Sequence, residues 1–137
     1  MSDFLKTMSI AASGLRAQAG RMRIISENIA NADSTPSTPG ADPYRRKIPT
    51  FQTEFDRAVG ANVVELGKTV TDNSDFQLKY EPGHPAADQN GNVKYPNINP
   101  LVEMTDMREA QRSYQANINV ITATRRMLQR TIDILKA

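Results

Sequence analysis

The chain has 137 residues, of which 39% are hydrophobic, and it contains no cysteine, no tryptophan and one histidine. Its 17 basic and 15 acidic side chains leave a net charge of +2, a field too weak to indicate a nucleic-acid-binding protein. This composition excludes a large enzyme, a disulfide framework and any thiolate metal site or thiol nucleophile, and it allows only one small core.

The first thirty residues carry mostly apolar side chains at alternating intervals of three and four residues. We call this set the N-terminal seam: Leu5, Met8, Ala12, Leu15, Ala19, Met22, Ser26 and Ile29. The spacing predicts a helix that packs along another helix through a narrow, heptad-like stripe. Gly14 and Gly20 lie within this helix, and each costs about 1 kcal/mol of helix propensity relative to alanine. We therefore expect the helix to need a partner.

The same residues also have some features of a secretory signal peptide. Lys6 precedes a mostly apolar stretch, which is followed by the small-x-small triplet Ala17-Gln18-Ala19. Asp3 lies where a leader should be basic, however, and the helical pattern continues past the triplet to Ile29. No stretch approaches the roughly 18 apolar residues that a membrane span needs. We expect no cleaved leader, and a chain that is soluble or is exported by a route without one.

The middle of the chain differs in composition from both ends. Small and turn-forming residues from Asn31 to Gly40 end the first helix, and all eight prolines fall between Pro36 and Pro100. Short strands are predicted at residues 62–66, 76–80 and 93–95, and Asn90-Gly91 predicts a turn. We expect a small irregular β element with one apolar cluster, formed by Phe51, Phe55, Val63, Leu66, Phe76, Leu78 and Tyr80.

The last third of the chain repeats the spacing of the first. We call this set the C-terminal seam: Met104, Met107, Gln111, Tyr114, Ile118, Ile121, Arg125, Leu128, Ile132 and Leu135. A helix from about residue 101 to 136 is about 50 Å long, so part of it must lie outside any core of this size. Polar residues at seam positions, here Gln111 and Arg125, tend to set the register and the partner of a helix pair.

The chain offers little chemistry for catalysis or for metal and cofactor binding. His84 is the only imidazole, and a metal site would have to combine it with Glu81 and Asp88 on one proline-rich loop. We expect His84 to hydrogen-bond locally in a turn, and we expect no enzyme activity and no cofactor. The densest basic run, Arg45-Arg46-Lys47, is most simply a solvated face, with contact to an acidic neighbour or to membrane headgroups as the alternative.

These segments predict a mainly α fold in which two long terminal helices pack as a coiled-coil-like pair, with an irregular β-rich insert between them. Residues 1–31 are the N-terminal assembly helix, 32–100 the loop and middle element, and 101–137 the C-terminal assembly helix, the two helices forming one core domain. Two arrangements remain open. In the first, the two seams pack against each other within one chain. In the second, the seams of many copies pack together, and the helices fold only when the copies assemble.

Motifs spread along the chain resemble one protein family. The first is Ser13-Gly14-Leu15-Arg16-Ala17 followed by Ile25-Ser26-Glu27-Asn28-Ile29-Ala30-Asn31, which resembles the N-terminal signature of the bacterial flagellar axial proteins of the rod and hook. The segments at 43–47, 82–88 and 93–99, and the helix segment at 102–117, are similar to those of a proximal rod protein. The resemblance covers nearly the whole chain.

The resemblance implies a structural subunit of the periplasmic rod in the flagellar basal body. Such a subunit is exported through the flagellum's own type III apparatus without a cleaved signal peptide, and it polymerises through its terminal helices to carry torque from the membrane ring to the hook. The implied partners are the chain itself, other rod proteins, proteins of the junction between membrane ring and rod, and the export apparatus, with no nucleic acid and no small-molecule substrate. The alternative is an export chaperone or adaptor that uses the same helices.

The seams and the resemblance together give a set of expected assembly residues. At the end of the first helix, an amide side chain can satisfy free carbonyls or the backbone of a neighbouring subunit. In the last helix, Tyr114 suits an interface that is packed but not dry. The full set is Leu5, Met8, Leu15, Met22, Ile25, Asn28, Ile29, Asn31, Met104, Met107, Tyr114, Asn117, Ile118, Ile121, Leu128, Ile132 and Leu135.

Overall fold

The computed structural model describes residues 2–137 and contains two long helices at the two ends of the chain. Helix α1 is Ser2–Ala30 and helix α2 is Pro100–Lys136. Between them lie six short strands: β1 (Lys47–Ile48), β2 (Phe51–Asp56), β3 (Ala61–Leu66), β4 (Val70–Thr71), β5 (Gln77–Tyr80) and β6 (Asn92–Tyr95). The predicted fold class, mainly α with a small β-rich insert, is confirmed.

Both helices end or begin where local sequence chemistry favours it. At the end of α1, the Asn31 Nδ2 donates a hydrogen bond of 2.8 Å to the Glu27 carbonyl, one of the carbonyls that a helix end leaves free. At the start of α2, the Asn99 Oδ1 accepts a 3.1 Å hydrogen bond from the Leu101 N–H. Asn99 is thus the N-cap, and Pro100 occupies the first helical position, where its missing N–H costs nothing.

The strands form three antiparallel pairs, β1 with β4, β2 with β3 and β5 with β6. Strands β3, β5 and β6 confirm the three predicted strands to within one residue, whereas β1, β2 and β4 were not predicted. The turn at Asn90-Gly91 is present, since the Gly91 N–H donates to the Asp88 carbonyl at 3.0 Å. It lies at the end of the longer connection 81–91 and is not a two-residue hairpin loop.

The chain divides into two compact units, and both helices contribute residues to each. Unit 1 contains residues 2–22, Pro49–Lys68 and Arg108–Ala137. Unit 2 contains Arg23–Ile48 and Thr69–Met107. The β2–β3 hairpin belongs to unit 1, and the other two strand pairs belong to unit 2.

Within unit 1 the two helices pair antiparallel, and the hairpin lies along α1. A Cβ on Gly14 would stand 2.8 Å from the Asn117 Nδ2, so the glycine allows the Asn117 side chain to lie against α1. About two turns further on, Arg21 and Glu109 approach to 3.4 Å. On another side of α1, the Ser13 hydroxyl accepts a 3.2 Å hydrogen bond from the Val64 N–H of β3.

The buried apolar side chains are few and mostly small. In unit 1 they are Ala11, Ala17, Val63 and Ala110. In unit 2 they are Ile24, Ile25, Ala86, Val93 and Ile98, with Pro43 and Pro96 also buried. This amount of apolar burial is small for the length of the helices, because most of each helix surface faces outward.

The predicted apolar cluster of the middle element is wrong. Phe51, Phe55, Leu78 and Tyr80 are between 44% and 72% exposed, and only Val63 of the seven is buried. The seven residues are also divided between the two units, with residues 51–66 in unit 1 and 76–80 in unit 2. Alternating apolar residues did mark strands correctly, but nothing in residues 2–137 covers the outward faces of these strands. No helix in the same range is long and apolar enough to cross a membrane.

Gly91 provides a test of the loop that leads into β6. Its φ of +81° lies in the left-handed region, and a Cβ there would meet the Tyr80 ring at 2.8 Å. We expect Gly91→Ala to lower the free energy of unfolding by about 1–2 kcal/mol, because L side chains are strained in this region. Gly83→Ala is the matched control, since a Cβ at Gly83 meets nothing within 4 Å. Equal urea midpoints for the two variants would contradict this account.

Candidate assembly site

The expected assembly residues on α1 differ widely in exposure. Ile25 and Asn28 are buried in unit 2, and Leu5 is 58% exposed. The others are half-buried: Met8, Leu15, Met22, Ile29 and Asn31. The two buried residues, Ile25 and Asn28, lie outside the N-terminal seam, and no residue of that seam is fully buried.

The expected assembly residues on α2 are either exposed or half-buried. Met104 and Leu135 are 51% and 81% exposed. The others are half-buried: Met107, Tyr114, Asn117, Ile118, Ile121, Leu128 and Ile132. None of the predicted residues on this helix is fully buried.

The most buried line on α2 lies beside the predicted seam. It contains Glu103, Ala110 and Thr124, all below 3% exposed, with the half-buried Asn117 between them. Each of these residues precedes a position of the C-terminal seam by one residue, which is a rotation of roughly 100° around the helix. One edge of the predicted seam therefore faces outward, and it is formed by Met104, Gln111, Ile118 and Arg125.

A second apolar line on α2 was missed in the sequence. Val120, Met127 and Ile134 recur every seven residues and are 42%, 52% and 75% exposed. The exposed Ala116 lies four residues before Val120, and the exposed Ala123 lies between Val120 and Met127 at intervals of three and four residues. We call these five residues the outer stripe. Counting the alanines together with the large apolar residues would have identified it, because the spacing matches that of the two predicted seams.

Unit 2 holds a buried polar cluster that ties three parts of the chain together. The Asn28 Oδ1 accepts hydrogen bonds from the Lys47 N–H at 2.9 Å and the Tyr44 hydroxyl at 3.0 Å. Its Nδ2 donates to the Lys47 carbonyl at 2.8 Å and to the Glu103 carboxylate at 3.3 Å. The amide of Asn28 thus pairs with the Lys47 backbone as a neighbouring strand would. It is fully buried, with its hydrogen bonds made inside the chain.

Arg46 supplies the positive charge of this cluster. Its guanidinium donates to the Glu103 carboxylate through Nε, and it lies 3.4 Å from Asp106 and 3.7 Å from Asp72. Burial acts against the charged form, but the hydrogen bond and the charge of Glu103 outweigh it and raise the pKa of Arg46. The Arg46 backbone N–H donates to the Asn97 Oδ1 at 2.8 Å. The solvated face expected for this basic run is therefore wrong at Arg46, and contact with acidic neighbours is correct.

Two other groups of the cluster are shifted in pKa. Burial raises the pKa of Tyr44, with the nearby negative charges acting in the same direction and Lys47 against it. Hydrogen bonds from the Ser74 N–H and hydroxyl lower the pKa of Asp72, and the charge of Arg46 adds to the effect. The sequence carried no spacing signal for this cluster, because Asn28 and Glu103 are 75 residues apart.

The loop around His84 has local partners for each residue of the suggested metal site. The His84 Nδ1 accepts a 3.0 Å hydrogen bond from the Ala86 N–H, which is the local turn contact expected for it. Its Nε2 lies 3.3 Å from the Thr35 hydroxyl. Glu81 accepts from the Tyr95 hydroxyl, and Asp88 accepts from backbone N–H groups of the same loop. Residues 2–137 contain no group of three or more potential metal ligands.

Two protein-family models match the two ends of the chain, and individual relatives match it over its full length. The family model described as "Flagella basal body rod protein" matches residues 8–36, and "Flagellar basal body rod FlgEFG protein C-terminal" matches residues 89–134. A flagellar basal-body rod protein FlgC of Agrobacterium fabrum is 59% identical over 137 residues, covering 100% of this chain and 99% of the relative. The chain belongs to the FlgC family.

More distant members of the FlgC family match over almost the same span. The protein of Salmonella typhimurium is 38% identical and that of Bacillus subtilis 36% identical, each over 95% of this chain. They cover 96% and 97% of the respective relatives. The resemblance stated from the sequence motifs is therefore confirmed, and the chain is a structural protein of the flagellar basal-body rod.

The buried ion pair of unit 2 gives a stability prediction. We expect Arg46→Met to lower the free energy of unfolding by about 3–5 kcal/mol, because it leaves the Glu103 carboxylate buried without its partner. The double variant with Glu103→Met should recover much of the loss. Lys94→Met is the control, since its pair with Asp42 is exposed and worth less than about 1 kcal/mol. Urea midpoints of Arg46→Met and Lys94→Met that coincide would contradict the role of the cluster.

Asp72 gives a prediction for acid stability. Its pKa is lower in the folded chain than the unfolded value of about 3.9, so its stabilising effect is complete above that pH. The effect is lost as the pH falls through the lowered folded pKa. We expect Asp72→Asn to reduce the slope of stability against pH below about pH 4, measured by urea unfolding at several pH values. An unchanged slope would show that Asp72 is not stabilised in this way.

Proposed function

We propose that this chain polymerises through its terminal helices into the rod of the flagellar basal body and carries torque from the membrane ring to the hook. The proposal rests first on membership of the FlgC family. It includes export through the flagellar type III apparatus without a cleaved leader. Its partners are further copies, other rod proteins, proteins at the junction of membrane ring and rod, and the export apparatus.

The observation that carries the proposal is the amount of apolar surface that both helices leave exposed. Fifteen large hydrophobic side chains are exposed among the described residues, and nine of these lie on the helices. The nine are Leu5, Ile10, Leu101, Val102, Met104, Val120, Met127, Ile134 and Leu135. Contiguous exposed apolar surface of this kind marks interfaces between proteins. Helices with such surface on several sides can contact several neighbours at once.

The arrangement also suits the transmission of a twisting load. A helix that contacts its own chain on one edge and other copies on another edge distributes the load over many packed side chains. In unit 2, Asn28 of α1 and Glu103 of α2 are hydrogen-bonded to each other, and both are bonded to the segment 44–47. This cluster resists sliding of the two helix ends against each other.

Leu135→Asp tests assembly through the C-terminal helix. Leu135 is 81% exposed, so the change should leave the helix content and the unfolding midpoint of the chain unchanged. We expect it to abolish incorporation into basal bodies and swimming, because a carboxylate in a packed interface lacks a partner. Thr122→Asp is the matched control, since Thr122 is an exposed polar residue of the same helix and receives the same charge. Normal swimming of the Leu135→Asp strain would count against the proposed interface.

The cellular location of the chain distinguishes a rod subunit from an export chaperone or adaptor. A rod subunit has to leave the cytoplasm through the flagellar export apparatus and be recovered with purified basal bodies. A chaperone or adaptor with the same helices would stay in the cytoplasmic fraction and would be absent from basal bodies. Fractionation of cells with and without a working export apparatus therefore decides between them, and a chain that stays cytoplasmic in both strains overturns the rod proposal.

A further inference from the structure

The outer stripe of α2 has the spacing of a coiled-coil seam. Its five residues are separated by four, three, four and seven positions, and Arg130 divides the last interval into three and four. Val120, Met127 and Ile134 are 42%, 52% and 75% exposed, and the two alanines are exposed as well. Apolar residues that recur every three and four positions pack against a second helix, whose side chains fit between them. The spacing therefore indicates a helix as the occupant.

The outer stripe is too narrow to hold α2 in a lipid surface. Two of its five residues are alanine, and none is aromatic. One side of the stripe is used within the chain, because Asn117 lies against Gly14 of α1 and Thr124 is 2% exposed. A helix that lies in a membrane interface instead buries a broad face with large apolar or aromatic side chains. The width of the outer stripe matches one helix.

The other side of the outer stripe is bordered by arginines. Arg112 and Arg126 lie three or four residues from alanines of the stripe, so they are its neighbours on the helix surface, whereas Arg130 lies within the line itself. All three are exposed, and none forms an ion pair within residues 2–137. One acid, Asp133, lies on the same side, and its carboxylate accepts a 3.0 Å hydrogen bond from the Gln129 side chain. The border is therefore mainly basic.

Charge argues against a second copy of this chain as the occupant. Two outer stripes packed antiparallel would bring their basic borders together, and a parallel pair would need the side on which Thr124 is already buried. The exposed line of α1 is also basic, since it contains Arg16, Ala19, Arg23, Ser26 and Ala30. Of the two acids on α1, Asp3 lies in the first turn and Glu27 pairs with Lys47 at 3.2 Å. Neither helix therefore offers an apolar line with an acidic border.

We propose that the outer stripe binds a helix of a different protein, one whose apolar seam is bordered by Asp and Glu side chains. The apolar residues of that helix pack against Met127 and Ile134. Its carboxylates pair with Arg112, Arg126 and Arg130. The basic border disfavours pairing of this surface with itself, so the surface selects a partner other than a further copy. The inference rests on the proposed function in placing the chain among other rod proteins.

Two synthetic peptides test the chemistry of the partner on the purified full-length chain. Both carry the same heptad repeat of leucine and alanine, and they differ only at the flanking positions, which are glutamate in one and lysine in the other. We expect the glutamate peptide to bind about tenfold more tightly at low salt, and we expect the difference to shrink as salt is raised. Fluorescence anisotropy of the labelled peptides measures both affinities. Equal affinities, or tighter binding of the lysine peptide, overturn the inference.

Charge reversal at the border tests whether the peptide binds to this surface. Arg126→Glu/Arg130→Glu should reverse the preference in favour of the lysine peptide, because the border is then acidic. Arg125→Glu/Lys136→Glu is the matched control, since it changes the net charge by the same amount at two exposed residues on the opposite side of the helix. The control should keep the preference for the glutamate peptide. The same response in both double variants would show that only net charge matters, and it would overturn the inference.

A lipid occupant gives a different result. We expect Met127→Glu to abolish binding of the glutamate peptide, because it places a carboxylate in the packed seam. Gln111→Glu adds the same charge at an exposed residue on the far side of the helix and should leave binding unchanged. Sedimentation of the unaltered chain with phosphatidylglycerol vesicles that Met127→Glu abolishes and Gln111→Glu does not would identify a lipid surface as the occupant, and it would overturn the inference.

Photochemical cross-linking in basal bodies identifies the neighbour of the outer stripe. Met127 is replaced by photoreactive benzoylphenylalanine in a flagellated bacterium, and purified basal bodies are illuminated. We expect a covalent adduct with a different protein, attached within a helical segment that carries acids beside its apolar seam. Adducts between two copies of this chain, adducts at a segment without such acids, or no adduct in basal bodies that contain the variant overturn the inference.

These outcomes are distinct from a failure of the proposed function. Each of them is read from basal bodies into which the variant has been incorporated, so the proposed function would stand. Absence of the unaltered chain from basal bodies would instead contradict the proposed function. The peptide measurements do not depend on incorporation, and they decide the chemistry of the outer stripe in either case.

Discussion

The amide of Asn28 uses all four of its side-chain hydrogen-bonding positions inside the chain: two with the Lys47 backbone, one with Tyr44 and one with Glu103. The geometry of unit 2 depends on this group, because Lys47 begins β1 and Glu103 lies in the first turn of α2. Glu103 is then a fully buried carboxylate that needs the positive charge of Arg46. A buried polar network is stabilising only when every polar group in it has a hydrogen-bond partner or a counter-charge. Changing one residue therefore leaves the remaining buried groups without partners, which lowers the free energy of unfolding.

This dependence on polar contacts follows from how little apolar surface the chain buries. The core of unit 1 is mostly alanine, and its helix pair and hairpin approach closely through Gly14 and the Ser13 hydroxyl. Larger apolar side chains lie outside, on the helices and on β2 and β5. Because large apolar side chains bury the greater area per residue, the exposed ones hold most of the apolar surface that a contact with another chain could still bury.

The sequence predicted what depends on local spacing. Intervals of three and four residues gave both helices, and Asn99-Pro100 marks the start of α2. The sequence-based prediction failed where the burial of a side chain depends on which other segments pack against it. The alternation in Phe51-Gln52-Thr53-Glu54-Phe55 is a strand pattern, but Phe51 and Phe55 remain 44% and 59% exposed, so the expected buried cluster does not form. The contact of Asn28 with Glu103 joins residues 75 apart, and no spacing rule reaches across that separation.

The exposed apolar surfaces on α2 differ in position around the helix, and this limits the arrangements that can cover them. The buried line through Ala110 is already used by the chain itself, whereas the edge with Met104 and the outer stripe with Met127 face outward on different sides. One neighbouring helix covers only a narrow stripe, so two outward surfaces require at least two neighbours. A closed dimer with one self-complementary patch would leave one of these surfaces in water. Heterologous contacts use two different patches of one subunit and can therefore cover both surfaces, whereas a single self-complementary patch covers one.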